Sequence, residues 1–168
     1  MSYITSIDTD DLTNPSSARK YDLGVRFVDF SSSDAIKPEY IYVKASGALT
    51  QFQPYQVSVS NTVNGEVTTK APETTSAGAT IVAPQVAVSS GNYCFLQYKG
   101  IATVLTTDTV AAGDYVEVIN AGTGLLLDGG TTGNTVEGGQ SVGIAKTATD
   151  AGSASIVLSG NKVEVAAA

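Results

Sequence analysis

The feature that most constrains this chain is its punctuation. Short alternating stretches of Val, Ile, Leu, Phe and Tyr are broken every 8–12 residues or so by Gly, Asn, Ser or Pro, and no 3.6-residue apolar period appears anywhere. Branching at Cβ suits a pleated strand, and scattered glycines suit the turns between strands. Strands are expected over Leu23–Phe30, Tyr40–Ala45, Gln56–Ser60 and Glu66–Thr69. Asn64-Gly65 supplies the hairpin turn between the last two, because a type I′ turn needs positive φ at both central residues. Residues 70–79 read as a linker-like loop. Ile81-Val82 and Val86–Val88 flank Pro84, which favours an edge or a kink. Tyr93–Tyr98, Ile101–Leu105, Tyr115–Ile119, Leu125–Leu127, Val142–Ala145, Ile156–Leu158 and Val163–Val165 complete the set, with a glycine-rich loop over 128–140. Some ten short strands with this spacing predict an all-β sandwich or barrel-like body.

The same composition leaves little for chemistry. Ala, Thr, Val, Ser and Gly make up more than half of the 168 residues, and charged residues are 15%, against about 25% in ordinary soluble domains. Histidine and tryptophan are absent, and there is one cysteine. A Ser-His-Asp triad, a histidine-containing zinc site and an intrachain disulfide are therefore excluded. Cys94 sits in the apolar run Tyr93-Cys94-Phe95-Leu96 and reads as a buried core thiol. The net charge of −7 argues against nucleic acid, whose binders present a basic patch. Residues 100–168 carry two lysines against seven carboxylates, so contacts through basic side chains are expected in the first half. Met1–Leu12 lacks the pattern of a signal peptide, no run of about 18 apolar residues suggests a membrane span, and no membrane partner is expected.

Residues 1–20 read as an extended N-terminal arm ahead of a β-rich body over 21–168, in which the 70–79 break allows two sub-lobes. Asp8, Asp10 and Asp11 cluster, Asn14-Pro15-Ser16-Ser17 breaks regular structure, and Arg19-Lys20 follows. The large apolar groups are Tyr3, Ile4, Ile7 and Leu12, worth about 6–12 kcal/mol if buried. Fixing twenty backbones costs about 20–40 kcal/mol. The arm is therefore expected to order only against a partner, by strand addition at a sheet edge with Tyr3, Ile4 and Ile7 as contacts.

Motifs that carry chemistry fail on inspection. Asp8-Thr9-Asp10-Asp11 begins like a calcium loop, but Thr13 and Arg19 stand where glycine and glutamate are needed, so it reads as a solvated acidic arm. Asp128-Gly129-Gly130 with Asn134 offers one carboxylate, too few for a calcium cage. Gly122-Thr123-Gly124 leads into Leu125–Leu127 rather than a helix, so it is no dinucleotide fingerprint. Catalytic, cofactor and metal residues are thus assigned to none. Tyr40 and Tyr42 share one strand face, with Lys44 in phase. That face is either half-buried with its hydroxyls at the rim, or an interface stripe.

Leu23-Gly24-Val25-Arg26 and Tyr40-Ile41-Tyr42-Val43-Lys44-Ala45-Ser46-Gly47-Ala48-Leu49 carry a resemblance. Phe95–Ala102, Val110-Ala111-Ala112-Gly113-Asp114, Val142–Ala145 and Ser155–Leu158 continue it. Over about residues 23–158 the chain resembles the capsid decoration, or cement, proteins of tailed bacteriophages. The resemblance implies a β-rich, often trimeric body on the outer capsid surface, bridging neighbouring major capsid protein subunits in the virion. It implies no enzyme and no cofactor. Candidate contacts to the capsid or to a second copy are Tyr3, Ile4, Ile7, Arg26, Tyr40, Tyr42 and Lys44. A fibre or host-attachment module binding surface glycans is the alternative.

Overall fold

A computed structural model describes residues 3–4, 6–59, 67–70, 80–118, 126–128, 140–147 and 149–164. They form eleven strands: β1 (Tyr3–Ile4), β2 (Arg26–Val28), β3 (Glu39–Lys44), β4 (Tyr55–Val59), β5 (Val67–Lys70), β6 (Ile81–Val82), β7 (Tyr93–Val110), β8 (Tyr115–Val118), β9 (Leu126–Asp128), β10 (Gln140–Ala145) and β11 (Thr149–Glu164). One 3₁₀ turn, Thr9–Leu12, is the sole helical element among the described residues. The all-β expectation is met. The Asn64-Gly65 turn, most of the 70–79 linker and most of the 128–140 loop lie outside the described residues.

One long strand organises the molecule. β7 pairs along its first half with β3 and along its second half with β11, antiparallel in both cases. From β11 the pairing runs through β10, β8 and β9 and returns to β7, so this half closes on itself. From β3 it runs through β5 and β4 to β6, and Ala83, just after β6, bridges back to Gln97 of β7. Among the described residues this pairing leaves β1, which pairs with β2 alone, as an edge strand.

Each half encloses its own core. Ala102, Val104, Val110, Val116, Ala145, Ala154, Ile156 and Leu158 fill the β7–β11 half. Ile41, Val43, Ala45, Leu49, Val82, Val88, Cys94, Leu96 and Tyr98 fill the β3–β7 half. The period-2 alternation of β3 and β7 puts Ile41 and Val43, with Cys94 and Leu96, inside this second core. The intervening Tyr40, Tyr42, Tyr93 and Phe95 face the other way, into a third cluster.

Tyr93–Tyr98 and Ile101–Leu105, expected as two strands, belong to one, and β7 runs through Gly100 between them. The Gly100 φ of +87° bends the strand, and a Cβ there would come within 3.0 Å of the Lys37 carbonyl oxygen and of Pro38 Cα. The register opposite β3 slips at this bend, so that Glu39 faces Lys99 and Tyr40 faces Gln97. The Gln97 side-chain amide donates to the Ile101 carbonyl at 2.8 Å, holding the two arms of the bend together. Ile156–Leu158 and Val163-Glu164 likewise belong to one strand, β11. Of Val86–Val88, Val88 alone pairs, in an isolated bridge to Leu49; the Pro84 kink ends β6 before it.

Candidate interaction surface

The N-terminal segment lies on the body of its own chain. β1 runs parallel to β2, with Tyr3 opposite Arg26 and Ile4 opposite Phe27. Ser16 and Tyr93 exchange both backbone hydrogen bonds, at 2.9 and 2.8 Å. Ile4, Ile7, Leu12 and Tyr21 pack on Val25, Phe27, Tyr42 and Phe95. The expectation that residues 1–20 need a partner to order left out the polar anchors. Asp8 caps the 3₁₀ turn by accepting from the Asp10 N–H, and Asp11, far from being solvated, is 8% exposed. The Asp11 carboxylate accepts from Lys20 Nζ and from the Tyr21 hydroxyl, the latter at 2.7 Å. The Lys20 N–H donates to the Tyr42 hydroxyl at 3.0 Å. Asp11 is the residue that sequence reasoning missed. The acid nine and ten positions ahead of Lys20-Tyr21 was the available signal, but only the fold brings them together.

The candidate contact residues divide into two groups. Ile4, Ile7, Tyr40 and Tyr42 meet in the cluster beneath the segment. The Tyr42 ring packs edge-on against Tyr21, with centroids 5.2 Å apart, and lies tilted against Phe95 at 4.9 Å. Tyr42 is 2% exposed, so in this state its face is covered by the chain's own N-terminus. Lys44 lies at the rim, its Nζ 6.0 Å from the centre of the Tyr93 ring. Tyr3 contributes its backbone; its side chain lies outside the described residues. Arg26 is on the opposite face of β2, its guanidinium 4.4 Å above the Tyr98 ring. There Glu39 accepts from the Tyr98 hydroxyl and pairs with Lys99 at 2.7 Å.

These surroundings set the protonation states. Burial works to raise the carboxyls of Asp11 and Glu39, but hydrogen bonds from Lys20 and Tyr21, and from Lys99 and Tyr98, outweigh it and hold both below their ordinary values of 3.8 and 4.5. A carboxylate lowered in the folded state adds stability above its unfolded pKa and loses it as pH falls through the folded one. Thermal stability is therefore expected to drop below about pH 4.5. The Asp11→Asn and Glu39→Gln variants should show shallower acid dependence in melting curves between pH 3 and 7. Burial, with the nearby Asp29 and Asp34 charges, pushes the Tyr40 hydroxyl up to about 12.

Burial also pushes the Cys94 thiol up to about 12, and the residue is 3% exposed. Cys94 is a core residue, and the native protein should stay unlabelled by a thiol reagent at pH 8 until denaturant unfolds it. Rapid labelling without denaturant would contradict this burial. Among the described residues no three His, Cys, Asp or Glu side chains gather closely enough to hold a metal ion.

A second surface feature lies on the β2–β3 connection. Sequence reasoning placed Phe30 at the end of a strand, but β2 ends at Val28, and Phe30 is 78% exposed. Ile36 on the same connection is 42% exposed. The Asp29 carboxylate accepts from the Ser31 N–H and hydroxyl, and this local turn competes with strand continuation.

No protein-family model matches the chain, and no curated protein matches it in sequence. A solved structure does match in shape: the head fibre gp8.5 N base of bacteriophage phi29, with a TM-score of 0.52 over 75% of this chain and 98% of that one. The two share a fold. Their sequence identity is 12%, so the likeness is one of fold alone.

Proposed function

We propose that the chain is a structural protein of a bacteriophage virion. It sits on the outer capsid surface as a homotrimer and bridges neighbouring major capsid protein subunits. The observation that carries this reading is the fold shared with the phage head fibre base, nearly all of which the match covers. The decoration role is the finer part of the reading and rests on the resemblance of residues 23–158 to capsid decoration proteins. The mechanism is multivalency and involves no catalytic step or cofactor. Three weak contacts held on one trimer raise each other's effective concentration, so avidity exceeds single-site affinity by a factor on the order of 10² to 10⁴. The net charge of −7 disfavours nucleic acid as a partner.

Binding to purified empty capsids, measured by co-sedimentation with no cells present, tests the proposal. Saturable decoration is the expected result; no binding to capsids, together with binding to host surface glycans, would replace it. That second outcome is the fibre or attachment reading, which the head fibre neighbour keeps in play. Phe30 is the most exposed large apolar side chain among the described residues, and aromatic anchors carry a disproportionate share of binding energy. Phe30→Ser is expected to weaken decoration about tenfold while leaving the melting temperature unchanged.

A further inference from the structure

The loop between β2 and β3 is a braced knob. The Asp29 N–H donates to the Pro38 carbonyl at 2.9 Å and closes its neck. Inside it, the Asp34 N–H donates to Ser32 Oγ at 3.2 Å, and Lys37 Nζ donates to the Ser32 carbonyl. Held in this way, the loop presents Phe30 and Ile36, both exposed. Side chains carried on an already ordered loop lose little freedom on binding. Asp29 and Asp34 stand beside them in the chain, and among the described residues neither carboxylate has an ion-pair partner. The surface that fits this knob is an apolar hollow with cations at its rim, and anionic partners such as a phospholipid surface or nucleic acid are repelled.

The chain has such a hollow of its own. A groove of about 700 Å³ opens at the other end of β2, where Ile4, Leu23 and Val25 give it apolar walls and Arg19 and Lys20 supply two cations. Its volume lies within the range of about 300–1,000 Å³ that holds ligand-sized groups, ample for one aromatic ring and one isoleucine side chain. The N-terminal segment is itself a wall of this groove, which is open while the aromatic face of β3 stays covered. Lys20 is committed to Asp11. Arg19 pairs with Asp22 at 2.7 Å, but the two side chains are 48% and 94% exposed. An exposed pair of this kind contributes little stability, so Arg19 can turn to an incoming carboxylate at small cost. Phe30 does not reach the groove of its own chain. β2 pairs with β1 and β3 and runs extended between the two, which holds Val25 and Phe30 up to about 18 Å apart.

We infer that the 29–38 loop of one copy inserts Phe30 and Ile36 into the groove beside the 19–25 segment of the next. The occupant is a second copy of this chain. Knob and groove are different surfaces, so the contact is head-to-tail, and repeated around a closed circle it builds a ring. This is a structural route to the homotrimer within the proposed function. It rests on that reading only for the number of copies, and its test uses no capsid, so either can fail without the other. It also explains how Phe30→Ser would weaken decoration, through the avidity lost with the ring.

Mixing two variants of the full chain tests the inference. Phe30→Ser removes the knob and keeps the groove. Arg19→Glu sets a carboxylate at the rim of the groove and keeps the knob. Both positions are at the surface, and each variant should melt with the unaltered protein. In native mass spectra over a concentration series, the unaltered chain is expected to form a trimer, and each variant alone to need about tenfold higher concentration to associate. Mixed in equal amounts, the two variants should form a one-to-one dimer, because the knob of Arg19→Glu fits the groove of Phe30→Ser and the series of contacts ends there. An unaltered chain that stays monomeric overturns the inference. So does a Phe30→Ser protein as multimeric as the unaltered chain, or a mixture with no more dimer than either variant alone.

Discussion

Gly143→Ala is expected to lower stability by about 3 kcal/mol, at or beyond the top of the usual range for overpacking a core. Gly143 is at the register slip where β10 pairs with both β8 and β11. A Cβ built there would come 2.4 Å from the Val157 carbonyl oxygen and 2.9 Å from Ile156 Cγ2. The first neighbour is backbone, so no rotamer change relieves the clash, and β10 must move away from β11. That movement opens the closed half of the molecule. For a chain of this length each kcal/mol shifts the melting temperature by about 2–4 °C, so a fall of about 6–12 °C is expected. Two controls separate close approach from backbone conformation. Gly47 has ordinary φ and no atom within 4 Å of a built Cβ, and Gly47→Ala should change stability by less than about 0.5 kcal/mol. Gly113 also has open space but a φ of +99°, and Gly113→Ala should cost about 1–2 kcal/mol from strain alone. If Gly143→Ala melts within about 2 °C of the unaltered protein, the packing of β10 on β11 is not as described.

Ile156→Ala is the second large effect. Ile156 is fully buried and lies on β11 at the centre of the core, opposite Ala102 of β7 and Ala145 of β10. Removing its side chain loses the transfer energy of the deleted atoms and leaves a cavity between strands that cannot collapse freely, a cost of about 2–5 kcal/mol. The manner of unfolding matters as much as the cost. β7 supplies Leu96 to one core and Val104 to the other, and β6 contributes Val82 to one and Ile81 to the other. Loosening either half should therefore loosen both. Calorimetry of Ile156→Ala should show one cooperative transition at lower temperature. Two resolved transitions, with the β3–β7 half unshifted, would show that the shared strand does not couple them.

Local pattern was enough for the positions of several strands and for the faces of some of them, but not for the lengths of β2, β7 and β11. β3 was readable within a residue at each end. Its alternation correctly placed Tyr40 and Tyr42 on one side, and the apolar run around Cys94 correctly placed the thiol in a core. The choice left open for the Tyr40–Tyr42 face was resolved by something local pattern does not contain. A segment some twenty residues upstream returns and covers it, held by a carboxylate that looks in sequence like one more surface acid. The cost of ordering that segment was counted against its apolar groups alone. The body adds backbone pairing and a hydrogen bond to Tyr42, and the segment braces itself through Asp11.

The sequence by itself determined the all-β class, the poverty of catalytic side chains and most strand positions, because β-branched alternation and turn residues act through the nearest neighbours of each residue. Tertiary structure alone decided that Gly100 bends a strand instead of ending it. It also decided that β11 returns to pair with β7, and that the N-terminal segment seals the aromatic face of β3. Each of these depends on groups brought together across the fold: Lys37 and Pro38 against Gly100, Ala154 against Val104, Tyr21 against Tyr42. Such contacts exist only once the chain has closed, and their energies leave no periodic trace in the sequence from which they could be read.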